Sequence, residues 1–90
     1  MLKIHLDIFV TGRVQGVGFR YSCSQKAKNL NLTGWVRNEP DGGVSLAVEG
    51  QNSDLEKFVE WCKTIPSPIK IKDFKVKTGP VRNFPFFEAY

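Results

Sequence analysis

The sequence predicts an α+β sandwich in which two amphipathic helices cover one face of an antiparallel sheet, in the order β-α-β-β-α-β. Apolar residues alternate with a period of two near 2–10, 33–38, 44–50 and 69–77. Two intervening stretches repeat at helical spacing instead, and dense turn chemistry separates the second strand from the third.

Residues 2–10 place Leu2, Ile4, Leu6, Ile8 and Val10 on one face and Lys3, His5, Asp7 and Phe9 on the other, the mark of a half-buried strand. A glycine-rich stretch, residues 12–20, bridges this strand to a helix whose stripe is Phe19, Cys23, Ala27 and Leu30. Asn29-Leu30-Asn31 ends that helix, because asparagine tolerates helix-terminating conformations. In the second strand, residues 33–38, Val36 points to one face and Trp35 and Arg37 to the other. Glu39-Pro40-Asp41-Gly42-Gly43 is a turn, and Val44, Leu46 and Val48 form a third strand closing at Gly50, so the pair reads as a hairpin. Ser53-Asp54-Leu55-Glu56 reads as a capping box, followed by the stripe Leu55, Phe58, Val59 and Cys62. Pro66 and Pro68 stop this helix. The apolar phase of the fourth strand, residues 69–77, slips between Ile71 and Phe74, which predicts a bulge near Lys72-Asp73. After the Gly79-Pro80 turn, Phe84, Phe86 and Tyr90 are candidates for a short extra strand, and Pro85 confines any such strand to an edge.

Ninety residues, 41% of them hydrophobic, suit a single domain spanning 1–90. No apolar run approaches the roughly 20 residues of a membrane span and no signal-peptide pattern precedes the first strand, so neither a membrane nor an export route is expected. Cys23 and Cys62 are too few and too far apart for a zinc ribbon or disulfide framework, and they read as buried thiols of a cytoplasmic protein. Lys and Arg outnumber Asp and Glu by 13 to 9, a net +4 that favours anionic partners without choosing between nucleic acid and a small phosphorylated molecule. Lys70, Lys72, Lys75 and Lys77 alternate with apolar residues, as on a solvated strand face or guarded edge.

The chemistry concentrates in the glycine stretch. Three glycines in seven residues let the backbone turn tightly and present N–H groups, and the start of a helix adds positive potential, so residues 15–20 form a candidate anion cradle. Arg20 contributes a guanidinium fork suited to phosphate. Other arrangements are excluded or weakened. His5 is the sole histidine, which removes histidine triads and multi-histidine metal sites, and it reads as a solvent-facing or cross-strand residue. The stretch lacks the Lys-Ser/Thr ending of a nucleotide P-loop and the third glycine of a dinucleotide fingerprint. Asp41 is accounted for by its turn, and Asn38, taken alone, reads first as turn chemistry. Topology alters that reading. A strand–helix–strand crossover makes the first two strands parallel, so their C-terminal ends share one edge of the sheet and Arg20 and Asn38 become neighbours.

Two long segments in this order, Gly12-x-Val14-Gln15-Gly16-Val17-x-x-Arg20 and Gly34-Trp35-Val36-x-Asn38-x-x-Asp41-Gly42-x-Val44, resemble the signatures of the acylphosphatase family. Val48-Glu49-Gly50 fits as well, and the resemblance covers essentially the whole chain. It implies a ferredoxin-like fold and hydrolysis of acyl phosphates to a carboxylate and inorganic phosphate without metal or cofactor. It also implies a phosphate-binding arginine at Arg20 and a water-orienting asparagine at Asn38. The phosphate-binding loop amides fall on Gln15, Gly16, Val17, Gly18, Phe19 and Arg20. Ser67-Pro68 and Ala89-Tyr90 depart from frequent family patterns, outside both segments.

Two other classes remain on the sequence. Ferredoxin-like domains also bind single-stranded RNA through aromatic residues, here Phe9 and Trp35, but Val44-Ser45-Leu46-Ala47-Val48 carries none. A domain handling acyl or carbamoyl phosphate inside a larger enzyme is the second. The preferred expectation is a monomer acting on a small acyl phosphate, with no nucleic-acid partner.

Overall fold

A computed structural model describes residues 2–90. The elements are β1 (Ile4–Arg13), α1 (Phe19–Asn29), β2 (Thr33–Asn38), β3 (Val44–Gly50), α2 (Asn52–Lys63), β4 (Lys70–Gly79) and β5 (Phe87–Ala89). They form one five-stranded sheet in the order β4-β1-β3-β2-β5. Both β1 and β2 pair antiparallel with β3, so they run in the same direction. The ferredoxin-like βαββαβ sandwich expected from the sequence is present.

One face of the sheet carries the core. Ile8, Val10, Val36, Val44, Leu46 and Val48 meet Phe19, Cys23 and Ala27 of α1 and Leu55, Phe58 and Cys62 of α2. These are the positions picked out by the two periodicities, and full burial of each large side chain contributes roughly 1.5–3 kcal/mol. Both cysteines are free and buried, and burial, with Cys62 alongside, pushes the Cys23 thiol pKa up. No helix among the described residues is long and apolar enough to cross a membrane.

Several expectations are corrected. The first strand does not cover 2–10: Leu2 is exposed, and β1 continues through Gly12 and Arg13, which pair with Ile71 and Lys70. Gly12 belongs to the sheet because of a close approach there; a Cβ on it would lie 2.2 Å from the Lys70 carbonyl oxygen. The neighbouring register shift leaves Lys72 unpaired between Ile71 and Asp73, which is the bulge predicted for Lys72-Asp73. The capping box does not form. Because α2 starts at Asn52, Ser53 lies inside its first turn and no side chain caps the helix. Glu56 is then one turn beyond Asn52 and accepts a hydrogen bond from Asn52 Nδ2 at 2.7 Å.

The C-terminal strand also differs from expectation. It excludes Phe84, Phe86 and Tyr90, and its buried aromatic is Phe87. It pairs parallel to β2, with Gly34, Val36 and Trp35 opposite Phe87, Ala89 and Glu88, so the sheet is mixed. The direction follows from the path: β4 ends where β1 begins, and residues 80–86 cross beneath the sheet before β5 rises beside β2. The edge position inferred from Pro85 is the observed one.

Candidate active site

The C-terminal ends of β1, β2 and β5 and the N-terminus of α1 lie at one edge of the sheet, as their directions require. Val14 is buried and anchors the start of the loop, and Phe19 is buried and anchors its end. Between them the chain turns through Gly16 at φ 71° and Gly18 at φ 82°, left-handed values that favour glycine. Gly18 is also the residue before the first helical turn, where it offers no capping side chain. The first bond of the helix is Ser22 N–H to the Gly18 carbonyl at 3.0 Å. Among the described residues, the main-chain N–H groups of Gln15–Arg20 find no acceptor. Unsatisfied main-chain donors at the start of a helix are the kind of group that an anion can match.

Arg20 lies half-buried in that first turn and donates through Nη1 to the main-chain oxygen of Tyr90. The Tyr90 N–H in turn donates to the Val36 carbonyl at 2.9 Å. This relay fixes the guanidinium relative to β2, two residues before Asn38, and leaves its other N–H groups for a further partner. Nothing in the periodicity of the sequence points to Tyr90 as that anchor.

Asn38 ends β2, exposed, on the same side of the strand as buried Val36. It pairs with Val44, which pairs with Val10, so Asn38, Val44 and Val10 form one row across the sheet just below the loop. Its side chain has no hydrogen-bond partner among the described residues. The turn that follows is held independently: Glu39 N–H donates to the Gly43 carbonyl at 2.8 Å, and Asp41 Oδ1 accepts from Gly43 N–H at 2.8 Å. Asp41 is thus a turn residue, as its position suggests. The Ser45 hydroxyl and the Arg37 guanidinium hold the Glu39 carboxylate below its ordinary pKa.

The loop and the hairpin are joined by the Gln15 side chain. Its Nε2 donates to the carbonyls of both Glu39 and Gly43, each at 2.8 Å. The family resemblance implies a role for Gln15 through its main chain alone; the side-chain bridge has no signal in the sequence and appears only in the fold. Arg20 and Asn38 are therefore placed at one edge through two independent links, one by way of Tyr90 and one by way of Gln15. Trp35 and Phe9 lie on the opposite, helix-free face, where Arg37 stacks 4.7 Å above the Trp35 ring.

The fold and this edge define an α+β sandwich protein with a glycine-turned loop of free main-chain N–H groups, among the described residues, at the parallel ends of two strands. Known proteins make the class specific. The acylphosphatase family model matches residues 6–88. An acylphosphatase of Trichormus variabilis is 48% identical over 77 residues, covering 86% of this chain and 74% of the relative. The crystal structure of acylphosphatase from Bacillus subtilis superposes with a TM-score of 0.92 at 36% identity, over 97% of this chain and 98% of that one. HypF from T. kodakarensis contains a similar unit, with a TM-score of 0.83 and 35% identity over 99% of this chain and 12% of the larger protein. The chain belongs to the acylphosphatase family and is a hydrolase.

Proposed function

We propose that the chain hydrolyses the carboxyl–phosphate bond of small acyl phosphates, with the phosphoryl group held by the N–H groups of Gln15–Arg20 and by the Arg20 guanidinium. Asn38 orients the attacking water through its carboxamide. The observation that carries this reading is the run of main-chain donors at the start of α1, sharing its edge with Asn38, all without a hydrogen-bond partner among the described residues. The water oxygen attacks phosphorus in line and the phosphorus–oxygen bond to the acyl group breaks. Its electron pair leaves on the carboxylate, and the proton released from water ends on phosphate or solvent. A carboxylate is a weak base and departs unprotonated, so no general acid is required; positioning and charge stabilisation of the phosphoryl oxygens supply the catalysis. The same reading takes the protein as a cytoplasmic monomer of one domain, with no nucleic-acid partner. Two free, buried thiols suit a reducing compartment.

The test is hydrolysis of benzoyl phosphate and acetyl phosphate by the wild type, Arg20→Ala and Asn38→Ala, with chelator present. Arg20→Ala is expected to lose both turnover and competitive inhibition by inorganic phosphate. Asn38→Ala is expected to keep phosphate inhibition and lose at least ~10²-fold in kcat. Full turnover by Asn38→Ala removes the water-orienting role. Activity that vanishes with chelator removes the metal-free reading.

A further inference from the structure

We infer that the Gln15 side chain is a positioning residue that sets Asn38 against the phosphate loop, an inference resting on the role of Asn38 proposed above. Gln15 Nε2 carries two hydrogens, and each meets a different carbonyl, Glu39 and Gly43, at 2.8 Å. Only the nitrogen of the carboxamide suits that place, because its oxygen would face two carbonyl oxygens. The two acceptors follow directly on the Asn38–Val44 pair that closes β2 against β3. One half-buried side chain therefore ties the start of the loop to the mouth of the hairpin whose first strand ends in Asn38.

The hairpin does not need Gln15 in order to form. Glu39 N–H to Gly43, Gly42 N–H to Glu39 and the Asp41 contact to Gly43 N–H close the turn by themselves. The loop likewise has its own anchors in buried Val14 and Phe19. What Gln15 adds is the separation between the two, the distance from a held phosphorus to the water that Asn38 aims. In-line attack is sensitive to that distance, and a misplacement of about 1 Å can reduce the rate on the order of 10²-fold. Arg20 reaches β2 independently, through Tyr90, so phosphate capture survives without the Gln15 bridge.

A double-mutant cycle tests this. Gln15→Met keeps the size and the main-chain N–H and removes both donors without adding charge; Gln15→Leu does the same with a shorter side chain, and it serves if the Met variant is unstable. In either variant kcat for benzoyl phosphate is expected to fall on the order of 10-fold while inhibition by inorganic phosphate stays within about twofold. On an Asn38→Ala background the same substitution is expected to change kcat by less than about twofold, because the group it positions is gone. Unchanged kcat in the single variant overturns the inference, as does a 10-fold weakening of phosphate inhibition. So does a loss that multiplies on the Asn38→Ala background. If Asn38→Ala alone retains full turnover, the role of Asn38 fails first, which separates that failure from one confined to Gln15.

Discussion

At the edge where β1, β2 and β5 end, main-chain donors and the Asn38 carboxamide face no acceptor among the described residues; at the opposite edge, the buried charged groups His5 and Glu49 are matched, and only the Thr33 hydroxyl is buried there without a partner among the described residues. His5 and Glu49 are 2% and 1% exposed there, far from where an alternating strand pattern places a histidine. His5 Nδ1 lies 2.6 Å from Glu49 Oε2 and Nε2 lies 2.9 Å from Asp7 Oδ1. Only the imidazolium carries a proton on both nitrogens, so this geometry selects the charged ring. Glu49 also accepts from the main-chain N–H groups of Arg82, Asn83 and Phe84, which pins the segment crossing beneath the sheet. That segment is what buries His5 on the helix-free face. Its expected solvent exposure is therefore wrong, while the cross-strand partner it was allowed is real: Glu49 faces it in the register.

With the function proposed above, the contrast separates binding at one edge from stability at the other. Unmatched donors are costly to bury, so at the site end they remain open to a ligand that can match them. Matched charges at the other end close the sheet over a polar cluster and fix the path to β5. Tyr90, whose main-chain oxygen accepts from Arg20, directly follows β5.

The contrast can be broken most forcefully at the matched end. Glu49→Ala strands His5 and three main-chain donors, and it is expected to cost about 3–5 kcal/mol in urea denaturation. A loss below about 1 kcal/mol would show that the cluster is not a structural clamp. At the open end the balance reverses. Asn38→Ala is expected to lose ~10² in kcat, equivalent to about 2.7 kcal/mol of activation free energy, while its stability stays within about 0.5 kcal/mol. A marked fall in melting temperature would mean that Asn38 is a structural residue after all.

A gentler probe is pH. Burial pulls the His5 pKa down, but hydrogen bonds and charge from Asp7 and Glu49 outweigh it and leave it above its ordinary 6.5. The stability this contributes is full below pH 6.5 and is lost as pH rises through the elevated value. Burial pushes the Glu49 pKa up, and the Arg82 N–H, His5 and the Phe84 and Asn83 N–H groups outweigh it, leaving it below its ordinary 4.5. That contribution is full above pH 4.5 and is lost on acidification through the depressed value. Urea-denaturation stability is therefore expected to be greatest between about pH 4.5 and 6.5 and to decline on the alkaline side. His5→Gln should flatten the alkaline decline, and an unaltered slope would assign it to another group. The smallest effect is expected at Gly18: a Cβ there meets nothing within 4 Å, so Gly18→Ala carries only the left-handed backbone cost of about 1 kcal/mol by urea denaturation. A much larger loss would reveal a contact across the loop.

The sequence by itself determined the order of elements, the helix stripes, the bulge near Lys72 and the loop that turns at Gly16 and Gly18. Each of these is a local property, set by side-chain periodicity or by backbone freedom within a few residues. The parallel ends of β1 and β2 also followed, because crossover topology is restrictive. The tertiary structure alone decided which acceptors Gln15 reaches, that Tyr90 holds Arg20, that β5 lies parallel to β2 and that His5 is buried. Those facts depend on groups from 24 to 70 residues apart in the chain, brought together only when the sheet closes. A hydrogen bond is defined by what stands opposite the donor, and no pattern along the chain encodes that partner.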